Sequence, residues 1–326
     1  MKRPPLSCDP PLWARGAHVQ TLLGNFLPSR VADLPWERLD LKLADGDALR
    51  VLLARGTSDV VVHLFHGLGG SANADYVRRA AALFAGQGHT ILAINHRGSG
   101  EGRGLAARPY HMGSTADMAA MLQAGRRLFP GHTHAAIGFS LSATILLLLL
   151  GRDAGLSAAL PDLAIAVNPA VDLEKASRRL LDGFCRAYDL RFVHRLRKHV
   201  RDLWESGLLE RPVHVPLLAT LREFDEIYTA PAAGFLDRSD YYARCTCWPY
   251  VQDIRTPAVI LTSEDDPFAP AEDLGDARIP PSVHLHVEAT GGHMGYVGRG
   301  VPDLRWLDYA LDHYLGELLG ASRASA

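Results

Sequence analysis

The chain has 326 residues, 48% of them hydrophobic, with 34 Lys and Arg set against 36 Asp and Glu for a formal net charge of −2. That length fits one large α/β domain or two average ones, and the composition excludes a disordered chain. Balanced, interspersed charge leaves no electrostatic footprint for nucleic acid.

Residues 1–35 are Pro-rich and aperiodic and read as an ordered arm lying over the domain. Lys2 and Arg3 have no apolar stretch behind them, because Asp9, Pro10 and Pro11 break the run from Cys8 to Trp13, which argues against a signal peptide. Cys8, Cys185, Cys245 and Cys247 show neither CxxC pairing nor histidines at zinc-finger spacing. Neither a disulfide framework nor a structural metal is expected, and a reduced, cytoplasmic setting fits best. The longest apolar run, around residues 145–150, is far too short for a membrane span and reads as a buried helix.

Alternation over 37–43, turn residues at 44–47 and β-compatible residues over 48–53 predict an antiparallel hairpin. Strands are then expected at 60–65, 90–94, 135–139 and 163–167, alternating with helices over 73–84, 114–129 and 141–150. Such alternation calls for a mostly parallel sheet with helices on both faces. It stops at Asn168-Pro169 and resumes with strands at 258–262 and 283–287 and a final amphipathic helix over 304–319. The intervening block places Val193, Leu196, Val200, Leu203, Trp204 and Leu208 at helical spacing among Arg and Lys. An insertion here sits above the carboxyl ends of the strands, where open α/β sheets bind ligands. Residues 171–250 are therefore read as a helical cap, with 36–170 and 251–326 as the core. The plainer alternative is extra helices packed on one side of the sheet. The Arg-rich face from Arg195 to Trp204 reads as a solvated face, with peripheral contact to membrane lipid as the second reading.

The chemistry centres on Gly138-Phe139-Ser140-Leu141-Ser142, where an apolar strand pattern runs through a tight turn into a helix former. That is how a nucleophile elbow is written, and it makes Ser140 the candidate nucleophile. Gly138 meets the demand for a small neighbour fully. Ser142 meets it in part, since its Cβ must be fitted where glycine is usual. A serine hydroxyl needs an imidazole in hydrogen-bond reach and a carboxylate to orient that ring, in the chain order Ser, acid, His for this architecture. An acidic loop, Ser263 to Pro270, follows one predicted strand, and Gly291-Gly292-His293 follows the next. His293 is the candidate base. Asp266 is preferred to its competitor Asp265 because it stands directly before the Pro-apolar pair. Fifteen histidines make one chance placement easy, and His18, His63, His96 and His111 are read as structural.

Phe65-His66-Gly67-Leu68-Gly69-Gly70 lies between a predicted strand and helix, the place for an oxyanion loop, so the backbone N–H groups of Leu68 and Leu141 are the candidate donors. The alternative is a glycine-rich turn needed only for its geometry. The glycines of Asn95 to Gly104 invite a dinucleotide reading, but Arg103 stands where the third glycine belongs, and no Walker A sequence exists. No cofactor is expected, and the segment reads as a turn near the site with Arg97 buried or paired.

These residues carry a resemblance to the α/β-hydrolase superfamily, specifically to its YheT-like branch, the AB hydrolase 4 family. The matching phrases are His18-Val19-Gln20-Thr21, His66 to Ser71, Asn95-His96-Arg97-Gly98, Tyr110 to Thr115 with Asp117, and Gly138 to Leu141. Further on come Glu223-Phe224-Asp225, Thr229-Ala230-Pro231 with Gly234-Phe235, Asp240-Tyr241-Tyr242, Asp265 to Phe268 and Gly291-Gly292-His293. The resemblance implies an α/β-hydrolase fold and a cofactor-independent serine hydrolase acting on a small-molecule acyl ester, with Ser140, Asp266 and His293 as nucleophile, acid and base. Two departures stand out: Ser142-Ala143 where the family usually writes Gly-Gly, and His96 at an aromatic position. Two other functions stay open. A serine acyltransferase would use the same residues, although no His is followed five positions later by Asp. A catalytically impaired binding module is the other, on account of Ser142.

Overall fold

The computed structural model describes residues 6–27, 29, 31, 33–155, 160–275 and 277–325. The predicted hairpin forms as strands β1 (Glu37–Lys42) and β2 (Ala48–Ala54), antiparallel, with Lys42 opposite Ala48. Six more strands follow: β3 (Val60–Phe65), β4 (Thr90–Ile94), β5 (Thr133–Phe139), β6 (Leu163–Val167), β7 (Ala258–Ser263) and β8 (Val283–Glu288). Their order in the sheet is β1-β2-β4-β3-β5-β6-β7-β8. β2 joins β4 antiparallel, and every pairing from β4 to β8 is parallel.

β3, β4 and β6 are buried along their whole length and read as near-continuous apolar runs, interrupted by the buried His63 in β3 and Thr90 at the start of β4, not as an alternation. That is the pattern of parallel strands covered on both faces. On one face lie helices α2 (Asp75–Gly86) and α8 (Trp306–Ser325), the latter burying Trp306 and Tyr314 fully. On the other lie α3 (Thr115–Leu128) and α4 (Leu141–Leu150). All ten residues of α4 are buried, because the segment between β6 and β7 covers its outer side. That segment contains α5 (Leu173–Arg179), α6 (Cys185–Glu205) and α7 (Arg238–Cys245).

Three local expectations differ from the structure. The aperiodic N-terminal segment contains a helix, α1 (Ala17–Phe26). Val19, Leu22, Leu23 and Phe26 stand at helical spacing there, but the side packed on the domain is the polar one, where Gln20, Thr21 and Gly24 meet backbone of residues 292–297 while Val19 and Phe26 stay exposed. In α6 the buried line is Val193, Leu196, Val200 and Leu203, whereas Trp204 is 43% exposed and Leu208 lies past the helix end. The next position on that line is Gly207, whose φ of 69° ends the helix before Leu208 joins it. The last helix starts at Trp306, two residues late, because Asp303 and Leu304 take φ of 52° and 58°.

Candidate active site

β5 ends at Phe139 and α4 begins at Leu141, which leaves Ser140 alone in the turn with φ 54° and ψ −116°. A non-glycine residue held there stores on the order of 1–3 kcal/mol of backbone strain. The turn is held by Ser140 N–H donating to Val167 O at 2.8 Å and by Ala143 N–H donating back to Ser140 O at 2.9 Å. Gly138 is required by contact, since a Cβ on it would lie 2.5 Å from the Ser142 carbonyl oxygen. Ser142 itself is fully buried. Its Oγ donates to His66 O at 2.5 Å and accepts from His96 Nε2–H at 2.7 Å.

The structure brings Ser140, His293 and Asp266 together from three strand ends. Ser140 Oγ lies 2.8 Å from His293 Nε2, and His293 Nδ1 lies 2.7 Å from Asp266 Oδ2. A carboxylate only accepts, so the proton of the ring sits on Nδ1 and Nε2 faces Ser140 as an acceptor. Asp266 is buried and well satisfied: Oδ1 accepts from the N–H groups of Phe268 and Ala269 at 3.1 and 2.9 Å, and Oδ2 accepts from Asn168 Nδ2 at 2.8 Å. Burial pushes its pKa up, but the charge and hydrogen bond of His293 and those two N–H groups outweigh burial and hold the carboxyl below the usual range. Asp265 does not reach the imidazole. It accepts from Gly292 N–H at 2.8 Å and so anchors the backbone of the His293 loop.

The loop after β3 passes over Ser140 so closely that a Cβ on Gly67 would sit 3.1 Å from the serine Cβ. Most of its donors are already used. Gly67 N–H donates to the Tyr76 hydroxyl at 2.9 Å, Gly69 N–H to the Tyr110 hydroxyl at 2.8 Å, and Gly70 N–H to Gly67 O at 3.1 Å. Among the described residues, the N–H groups of Leu68 and Leu141 are left without an intramolecular acceptor. His66 locks the same loop: Nδ1–H donates to Gly67 O at 2.8 Å and Nε2 accepts from His96 N–H at 3.2 Å. Burial keeps both rings neutral, pushing His66 well below its ordinary pKa and His96 down to about 4.

Four contributors carried no assigned role in the sequence reading. Asn168, with φ 46°, bridges Asp266 and Gly292 O from the end of β6, and the only signal for it was the abrupt stop in alternation at Asn168-Pro169. Thr21 on α1 accepts from His293 N–H at 2.9 Å. Tyr76 and Tyr110 tie down the loop as described. Arg97 is buried and paired, bidentate to Asp117 at 2.6 and 2.7 Å and bonded to Asp45 and Asp47 at 2.8 and 2.6 Å. It belongs to the scaffold under the site.

Ser140 and His293 open into a pocket of about 380 Å³ whose walls include Leu22, Tyr188, Phe192 and Phe268. α6 forms one side of it. Among the described residues no cluster of His, Cys, Asp or Glu has the arrangement to hold a metal ion, and no helix is long and apolar enough to cross a membrane. Chemically, the arrangement sets a serine hydroxyl hydrogen-bonded to an imidazole beside two open backbone donors, in a pocket with both apolar and charged lining.

A family model described as alpha/beta hydrolase fold matches residues 60–299. The chain is 28% identical over 93% of its length, and 91% of the relative's, to YheT of Escherichia coli (strain K12), an esterase by name. It is 26% identical over 95% of its length, and 84% of the relative's, to abhydrolase domain-containing protein 2 of Drosophila melanogaster. Among solved structures, an esterase of Pyrococcus furiosus matches 90% of this chain and 98% of its own with a TM-score of 0.58 at 16% identity, a likeness of fold.

Proposed function

The chain belongs to the alpha/beta hydrolase fold family, and on that premise we propose that it is a serine hydrolase of carboxylic esters, acting on short- to medium-chain or lipid-like acyl esters. The observation that carries this reading is the unbroken line of hydrogen bonds from Ser140 Oγ through both nitrogens of His293 to Asp266, at 2.8 and 2.7 Å. At its Ser140 end stand the N–H groups of Leu68 and Leu141, which have no intramolecular acceptor among the described residues.

In this reading His293 Nε2 takes the Ser140 proton as Oγ attacks the ester carbonyl. The carbonyl oxygen becomes an oxyanion and accepts from Leu68 and Leu141 N–H, each donor contributing about 3 kcal/mol to the transition state. The imidazolium, steadied by Asp266, gives its proton to the leaving alcohol. Water enters and attacks the acyl-enzyme carbonyl as it loses a proton to His293, and the imidazolium returns that proton to Ser140 Oγ as the acid leaves. The segment between β6 and β7 serves as the cap that shapes the acyl pocket.

The test is labelling of the purified protein by a fluorophosphonate beside the Ser140→Ala variant, followed by an ester panel of increasing acyl length. Labelling and turnover in the parent, both lost in the variant, are expected. A folded parent that neither labels nor turns over any ester would overturn the reading. Product analysis with added alcohol separates hydrolysis from acyl transfer to that alcohol.

A further inference from the structure

The same pocket carries two positive charges that ester hydrolysis by itself does not require. Arg191 and Arg195 lie one turn apart on α6, about 6 Å along the helix axis, and both line the pocket that holds Ser140 and His293. Arg186 and Lys198 of α6 have carboxylate partners on the helix, Asp189 and Asp202, whereas Arg197 and Arg201 have none among the described residues and do not line the pocket. Among the described residues, no carboxylate oxygen lies within 4.0 Å of either Arg191 or Arg195. Arg191 packs over the Phe26 ring at 4.9 Å from its centroid, and Arg195 Nη1 donates to Gly69 O at 3.3 Å, in the loop above Ser140. Asp75 also lines the pocket, without contact to either guanidinium.

Two like charges on one face of a helix repel each other unless something answers them. Both side chains are exposed, and partial desolvation of Arg191 together with the charge of Arg195 depresses Arg191 below the ordinary arginine range. A bound oxyanion relieves both effects, and the planar guanidinium fork is suited to grip phosphate or carboxylate oxygens in pairs. Around the two arginines the walls are apolar, with Leu22, Phe184, Phe192 and Phe268. We infer that Arg191 and Arg195 form an oxyanion-binding subsite at the mouth of the pocket, so that the preferred ester joins an apolar acyl chain to a group bearing a phosphate or carboxylate. This rests on the ester-hydrolase reading of the site and names its substrate class.

The test separates binding from turnover. Hexyl phosphate, hexanoate and hexanol are titrated calorimetrically into the parent and into the Arg191→Met/Arg195→Met double variant, and kcat/KM is measured on monohexanoylglycerol and its phosphate. Binding of at least one anion about tenfold or more tighter than hexanol is expected in the parent, weakened by salt. In the double variant that advantage, and the matching preference in kcat/KM, should shrink about tenfold, mainly through KM. Tight binding of hexyl phosphate alone would identify a phosphate-bearing ester, and of hexanoate alone a carboxylate-bearing one; either upholds the subsite. Equal binding of the anions by parent and variant would overturn it. Anion binding lost in the variant, with no ester turned over by the parent, would uphold the subsite and remove the esterase reading instead.

Discussion

Ser142 and His96 are joined by a 2.7 Å hydrogen bond directly beneath the Ser140 turn, and Ser142 donates its own hydrogen bond to the His66 carbonyl at 2.5 Å. Of the chain's departures from the pattern it resembles, Ser142-Ala143 in place of Gly-Gly and histidine at the aromatic position 96, Ser142 and His96 are therefore coupled. The Cβ and hydroxyl of Ser142 occupy space that His96 lines with a donor, and His96 keeps its stacking on Tyr110 at 5.1 Å between ring centroids. Replacing Ser142 with Gly alone strands a buried imidazole N–H, which costs about 1–3 kcal/mol. His96→Phe combined with Ser142→Gly should cost less than the sum of the single changes, with a coupling of about 1 kcal/mol or more in urea unfolding. Additive costs would show the pair to be independent.

Gly138 stands against backbone, not against a side chain that swings away. Gly138→Ala places its Cβ 2.5 Å from Ser142 O, so the strand and α4 must separate. A loss of at least about 1–3 kcal/mol is expected. Thermal unfolding gives the stability, and the rate of fluorophosphonate labelling should fall further than the change in folded fraction explains, because the shift moves Ser140 relative to His293.

The buried histidines make stability depend on pH with a definite sign. Burial lowers His66 and His63 well below their ordinary value and His96 to about 4. Groups that bind fewer protons when folded give stability that is complete above the unfolded histidine pKa of about 6.5 and is lost as pH falls from there toward 4. Asp225 works in the other direction, since burial raises it to about 7; its contribution is complete at acid pH and is lost as pH rises toward that value. The urea midpoint should drop between pH 7.5 and pH 5. The drop should be shallower in the His96→Phe/Ser142→Gly variant and steeper in Asp225→Asn. A midpoint that rises on acidification would contradict the burial argument.

Tyr110 tests how the loop over Ser140 is positioned. Tyr110→Phe leaves Gly69 N–H without its 2.8 Å acceptor while keeping the ring stacked on His96. We expect kcat on a neutral ester to fall about tenfold, equivalent to about 1.4 kcal/mol, with little change in KM, because the loss is one of donor alignment. Unchanged kcat would show that His66 and Tyr76 suffice to hold the loop.

Sequence periodicity was enough for the architecture. Dominantly apolar runs such as 60–65, broken only by His63, and the fully apolar 163–167, separated by helical stretches, specify a parallel sheet covered on both faces, and the structure has that sheet. Ser140, Asp266 and His293 stood out because each closes a predicted strand in a loop of distinctive composition. Asn168, Thr21, Tyr76 and Tyr110 did not. Thr21 and Tyr110 sit in the matching phrases and Asn168 where the alternation stops, but the role of each lies in one or two hydrogen bonds to groups far away in the chain, and such a contact leaves no period or spacing that would assign it.

The sequence by itself determined the alternation of strands and helices, the small residue at 138 and the order in which hydroxyl, carboxylate and imidazole arrive, since local patterning and steric size act between near neighbours. Only the tertiary structure decided that Asp266 and not Asp265 faces the ring, that α1 supports the His293 loop through Thr21, and that Arg191 and Arg195 look into the pocket. Those outcomes depend on the angle at which distant segments pack. A turn of one residue moves a side chain by about 100° on a helix and from one face to the other on a strand, so the residues that meet are set by packing across the sheet and not by their neighbours in the chain.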